Sequence, residues 1–147
     1  MNALIRPLSA LVLSAGCLVT AAQEKPKHHE EDTPLMQQME QIEHAHHFLR
    51  RSLKDPAQDD KSLEQCVIAE QACLTAKQLT PKMAARVEAA DKAQFVKDFR
   101  TGIAALLVQF VNGETALLAG DRPGADAAWK QLEKMEDEGH NNFTDGE

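Results

Sequence analysis

The apolar residues of this chain recur every three or four positions along four separate stretches, the spacing of a helix packed on a core rather than of a strand. The last stretch is the plainest. Ala125, Ala128, Leu132, Met135, Gly139 and Phe143 fall on one stripe of a helix that includes Trp129 to Phe143. Gly139 is costly there, about 1 kcal/mol relative to alanine, and leaves room for a bulky group to approach the backbone. His140 follows it directly. A basic side chain near a helix C-terminus is also favourable with the helix dipole, so the period alone does not make His140 a ligand.

The first stretch opens with Thr33 as a helix N-cap and Pro34 in the first turn, followed by a stripe of Leu35, Met39, Ile42, His46, Leu49 and Leu53. Met39 suits a core position, because methionine fills irregular gaps. His46 takes a core position about 10 Å further along, which predicts a half-buried histidine with a polar partner. His44 points outward. Glu40, Glu43 and His47 flank the stripe at helical spacing, as a solvated face or, alternatively, a divalent-ion site, and His44, His46 and His47 form a separate alternative weak metal site.

A second helix is expected over about Lys61 to Leu79, capped by Asp59 or Asp60, with Leu63, Cys66, Val67, Ala69, Cys73, Leu74 and Ala76 as its apolar positions. Cys66 and Cys73 lie two helical turns apart, about 10 Å, too far for a disulfide, and act as small hydrophobes. Thr80-Pro81 ends this helix, and residues 82–90 form a connection. The third helix runs from Asp91 to Ala119 on Phe95, Phe99, Ile103, Leu106, Phe110 and Leu117, with Gly102 and Gly113 permitting close contact or a slight kink. Gly120-Asp-Arg-Pro123 stops it and starts the fourth. The pattern implies an all-α chain, an antiparallel up-down-up-down four-helix bundle over residues 33–143.

Composition agrees, with alanine and leucine abundant and few β-branched residues. Met1 to Ala22 has the features of an export signal: Arg6, an apolar run from Leu8 to Val19, and Thr20-Ala-Ala22 as a cleavage site. Ser14-Ala-Gly-Cys17 also approaches a lipoprotein box. The expected location is a bacterial periplasm, with no membrane span. Residues 23–32, including His28-His29, are expected to form a flexible tether, and 144–147 a disordered tail. Removing Arg6 leaves 15 basic against 23 acidic residues, a net charge of -8, which argues against nucleic acid as a partner. No nucleophile–base pair or acid/base dyad stands out, so an enzyme is not expected.

Three segments carry a family resemblance: Met39-Glu-Gln-Ile42, Phe95-Val-Lys-Asp-Phe-Arg-Thr-Gly102, and Ala116-Leu-Leu-Ala-Gly-Asp121 running on to Gly139-His-Asn-Asn-Phe143. Together they resemble the periplasmic cytochrome b-562 family. The resemblance implies one haem b held non-covalently between the first and last helices, with Met39 and His140 as axial iron ligands. Phe99 falls on an aromatic position that packs against the porphyrin, and Ile103 replaces a second one. Methionine–histidine ligation implies a closed iron of raised potential and a one-electron carrier, working with an unidentified redox partner as a monomer or weak dimer. The related cytochromes c′ attach haem through CxxCH; here that frame reads Glu136-Asp-Glu-Gly-His140, so covalent attachment is excluded.

The chain departs from the pattern at two places. Glu136, flanked by Asp137 and Glu138, stands where the family has an arginine, and this cluster is expected to repel haem propionates unless Lys134 or Arg100 compensates. His46 replaces an aliphatic core residue. The second hypothesis is accordingly a haem-free periplasmic bundle serving in interaction, stress response or metal buffering through His44, His46 and His47.

Overall fold

The computed structural model describes residues 33–143, and the expectations for residues 1–32 and 144–147 lie outside them. The described residues form four α-helices: α1 (Pro34–Ser52), α2 (Asp59–Ala76), α3 (Lys92–Leu118) and α4 (Arg122–Phe143). Two 3₁₀ turns lie in the connections, Pro56–Gln58 and Lys82–Ala85, and there is no strand among the described residues. The chain is all-α.

The ends of these helices follow from local chemistry. Thr33 Oγ1 accepts from the Met36 amide at 3.2 Å, and Pro34 needs no donor in the first turn. Arg50 and Arg51 occupy the last turn of α1, where cations favour the exposed carbonyls. The second helix differs from the sequence expectation. The Asp55 carboxylate accepts from the Ala57 amide at 3.0 Å, and the turn it caps runs straight into α2. Asp59 and Asp60 therefore lie inside the first turn of α2 and do not cap it by side-chain hydrogen bonds. The helix ends at Ala76 rather than Leu79, because the amides of Gln78 and Leu79 close turns onto Thr75 and Ala76, both at 3.0 Å. After α3, Gly120 adopts φ 72°, a left-handed conformation that glycine takes without strain. Asp121 Oδ1 then accepts from the Gly124 amide at 3.0 Å and starts α4.

The core is uneven in a way that shapes the packing. α2 buries only small side chains, Ser62, Cys66, Ala69, Ala72, Cys73 and Ala76, so α1 and α3 can both approach it. The bulk comes from α3 and α4, with Phe99, Ile103, Leu106 and Phe110 meeting Trp129 and Leu132. Trp129 is 1 % exposed and was not on the predicted stripe. Its indole lies across Gly113, the reason for a glycine at that point: a Cβ there would sit 2.1 Å from Trp129 Cη2. Val67 and Leu74, expected among the apolar positions of α2, face solvent. Each helix packs along the next in sequence, whereas α1 and α4 meet more sparsely.

Gly113→Ala tests the seating of the indole. A methyl group at that distance forces the ring or the backbone to move, an overpacking cost of about 1–3 kcal/mol against a helix-propensity gain of about 1 kcal/mol. Urea unfolding should show a net loss of stability; a variant more stable than the parent would contradict the close approach of α3 and α4.

Candidate functional site

The sparse seam between α1 and α4 is bridged by polar side chains. On α1, Met39, His46 and Arg50 are separated by seven and four residues and share one stripe; on α4, Glu133, Glu136 and His140 do the same at three and four. Two rungs join these stripes. Arg50 Nη1 donates to Glu133 Oε1, and His46 Nδ1 lies 2.9 Å from Glu136 Oε2. His46 Nε2 lies a further 2.9 Å from the carbonyl oxygen of Trp129. At the other end of the seam, Arg122 Nη1 donates to the Leu53 carbonyl and Nη2 to both Asp59 oxygens, at 2.6 and 2.7 Å.

His46 is 1 % exposed, fully buried where the sequence predicted half-burial with a polar partner. The hydrogen-bond inventory constrains its proton content. The Trp129 carbonyl only accepts, so Nε2 carries a hydrogen and donates to it. The Nδ1–Glu136 contact is then either imidazolium donating to carboxylate or a protonated carboxyl donating to neutral imidazole. In both cases the pair is neutral as a unit. Glu136 is thus partnered by His46, not by the Lys134 or Arg100 considered from the sequence. Its other oxygen, Oε1, is buried without a hydrogen-bond partner.

Below this pair the seam changes character. Met39 is half-buried and packs against the core, and His140 is exposed on the α4 stripe that carries Glu133 and Glu136. Measured from the His46–Glu136 rung at about 1.5 Å per residue, Met39 lies about 10 Å along α1 and His140 about 6 Å along α4. They fall at the same end of the seam, offset by about 4 Å along it. A Cβ on Gly139 would meet nothing within 4 Å, so the backbone beside His140 is open. A thioether and an imidazole outside the close-packed core form a donor set that suits haem iron. Phe99 and Ile103 are both buried, and the Phe143 ring lies edge-on to Phe99 with centroids 5.6 Å apart. Phe143 therefore packs on Phe99, one of the two residues that the resemblance places against a porphyrin.

No known family model matches this sequence, and no curated protein matches it.

The three histidines of α1 do not form one site. His46 spends both ring nitrogens on α4, while His44 is exposed and His47 reaches Glu43 at 3.5 Å. No group of three or more His, Cys, Asp or Glu able to hold a metal ion occurs among the described residues. Surface hollows of about 340 and 270 Å³ open beside His47, one lined with Arg50, Arg51 and Lys54 and the other with Glu40, Glu43 and His44; neither is lined by Met39 or His140.

The thiols of α2 are free and buried. Burial, with smaller contributions from Glu114 and Glu70, pushes Cys66 up to about 12, and burial with Glu70 pushes Cys73 up to about 12. Sequence reasoning missed the Glu136 and Arg122 contacts, because their partners are 90 and 63 residues away and no local pattern announces them.

Two outcomes are expected. His46→Leu should cost about 2 kcal/mol, since it strands Glu136 against apolar surroundings, while the double variant His46→Leu/Glu136→Leu should recover most of that loss. Additive losses in urea unfolding would contradict the pairing. For the thiols, folding raises the pKa above the unfolded value of 9.0, so the native state holds more protons above pH 9. Stability should be unaffected by these thiols below pH 9 and fall as pH rises toward 12. Cys66→Ala/Cys73→Ala should flatten that part of a pH series of unfolding midpoints; an identical slope in parent and variant would remove the thiols as its source.

Proposed function

We propose that this protein is a periplasmic haem b-binding one-electron carrier with Met39 and His140 as axial ligands, rather than an enzyme, built as an antiparallel up-down-up-down four-helix bundle. The order of contacts supports the topology. Moving forward on α1 from His46 to Arg50 to Leu53 moves backward on α4 from Glu136 to Glu133 to Arg122. Phe143 at the end of α4 meets Phe95 and Phe99 near the start of α3, and Trp129 meets Gly113 further along.

The observation that carries the haem reading is the antiparallel register of α1 and α4 set by the two rungs. Arg50–Glu133 and His46–Glu136 close the upper seam; Met39 lies two turns beyond His46 on α1, and His140 one turn beyond Glu136 on α4, toward the same end. Met39 would offer its thioether from the core edge and His140 its imidazole from the last turn of α4. Bound haem supplies an iron that cycles between two oxidation states, and a methionine ligand raises its potential. The chain's own contribution is to hold the two donors on helices fixed by the upper rungs and to shield them with Met135, Leu35 and Phe143. His46 also answers the electrostatic objection to Glu136, because the neutral pair presents less negative charge to a propionate than a lone carboxylate does.

One observation favours the haem-free alternative, an interaction or stress-response bundle: Phe143 already covers Phe99. The two readings separate in a haem titration of the purified apo protein. The carrier reading expects the narrow, split visible bands of low-spin iron on reduction. Met39→Ala should keep haem but open a coordination position to carbon monoxide, and His140→Ala should lose most of the affinity. Phe143→Ala should not abolish binding, because its ring must leave Phe99 for the porphyrin to reach it. A broad free-haem spectrum, unchanged by Met39→Ala, would sink the carrier reading and leave the closed bundle.

A further inference from the structure

On the side of the molecule formed by α2 and α3, the same pattern occurs twice. On α2, Val67, Glu70 and Leu74 stand at spacings of three and four residues; on α3, Val111, Glu114 and Leu118 repeat it. Such spacing stacks the three side chains on one helical face. The four apolar members are all exposed, Val67 by 56 %, Leu74 by 43 %, Val111 by 42 % and Leu118 by 68 %. α2 packs along α3, and Glu114 acts electrostatically on Glu70 and on Cys66, so the acidic centres of the two patterns are neighbours. The result is a surface with four exposed apolar side chains around two like charges.

Those charges are not compensated within the described residues. Neither Glu70 nor Glu114 forms an ion pair there, and Glu70 Oε1 is buried with no hydrogen-bond partner. Two like charges held together without a cation are unfavourable, and a cation set between the two carboxylates would offset their repulsion. We propose that the α2/α3 face is a docking surface for a helical segment of another protein, one that sets a single lysine or arginine between apolar residues at the same helical spacing. A helix suits this face because its ridges seat between two packed helices, and its basic residue would reach Glu70 and Glu114 together. Burial and Glu114 hold the Glu70 carboxyl above its usual range, the condition that an incoming cation reverses.

Other occupants fit less well. A second copy joined through this face would bring four carboxylates together in apolar surroundings. α3 is long and apolar enough by composition to cross a membrane, but lipid tails would leave Glu70 and Glu114 without a partner. The surface lies on α2 and α3, away from the Met39–His140 end of the α1/α4 seam, so it stands whether or not haem binds.

The probe is a synthetic amphipathic helix with one lysine placed three residues after one leucine and four before another, compared with the same peptide carrying glutamine for lysine. Fluorescence anisotropy against the full chain should show saturable binding of the lysine peptide. Leu118→Gln, a change at an exposed position, should weaken it by about tenfold or more. Glu70→Gln/Glu114→Gln should weaken the lysine peptide to the level of the glutamine peptide while leaving the latter unchanged, the non-additive signature of a direct charge contact. No saturable binding would overturn the proposal, as would equal binding by parent and variants, which would mark general attraction to an acidic chain. Self-association in sedimentation that Leu118→Gln abolishes would replace the partner with a second copy. Adsorption to phosphatidylcholine vesicles that Leu118→Gln abolishes would replace it with a membrane surface.

Discussion

The histidine at the middle of α1 ties together the two helices that otherwise touch least. His46 is wholly buried, and both of its ring nitrogens reach α4, one to the Glu136 carboxylate and one to the Trp129 carbonyl. The contact to Trp129 fixes its backbone just where the indole lies across Gly113 of α3. One side chain therefore registers α1 against α4, while its neighbour in the contact registers α4 against α3. A buried polar pair contributes little net stability compared with an apolar replacement. Its value is positional: the partners must meet at one register or leave desolvated groups unsatisfied.

That constraint also explains why the two ends of the seam differ. Above His46, the Arg50–Glu133 pair and the Arg122 clamp on Leu53 and Asp59 close α1, α2 and α4 against one another. Below it, Met39, Met135 and Phe143 are only partly buried, and the backbone at Gly139 is open. Soft, adaptable side chains occupy this end, which is where a flat ligand could enter without disturbing the rungs above. The haem reading and the closed reading share this architecture and differ in whether Phe143 stays on Phe99.

The helices were legible in the sequence because each has a strong apolar period and ends on chemistry that acts locally. Thr33-Pro34 and Gly120-Asp121 act through atoms within a turn of themselves, and both proved to be real boundaries. The start of α2 differs from the expectation because Asp55 caps the 3₁₀ turn that runs into it, and no side chain caps α2 itself. The burial of Trp129 was missed for a different reason: its place depends on a glycine on another helix. The predicted polar partner of His46 existed, but its identity as Glu136 required knowing how α1 and α4 align. Of the surface pattern on α2 and α3, only Val67 and Leu74 stood among the expected apolar positions, since periodicity does not say which faces remain uncovered.

The central claim is that the His46 register brings Met39 to the last turn of α4. Methyl-labelled methionine and isotope-edited nuclear Overhauser spectroscopy on the apo protein test it directly. The Met39 methyl should show cross-peaks to protons of the last α4 turn, among them Phe143 or His140, and these should vanish in His46→Leu/Glu136→Leu if that pair sets the register. Cross-peaks from Met39 confined to α2, with none to α4, would contradict the alignment on which the proposed site rests.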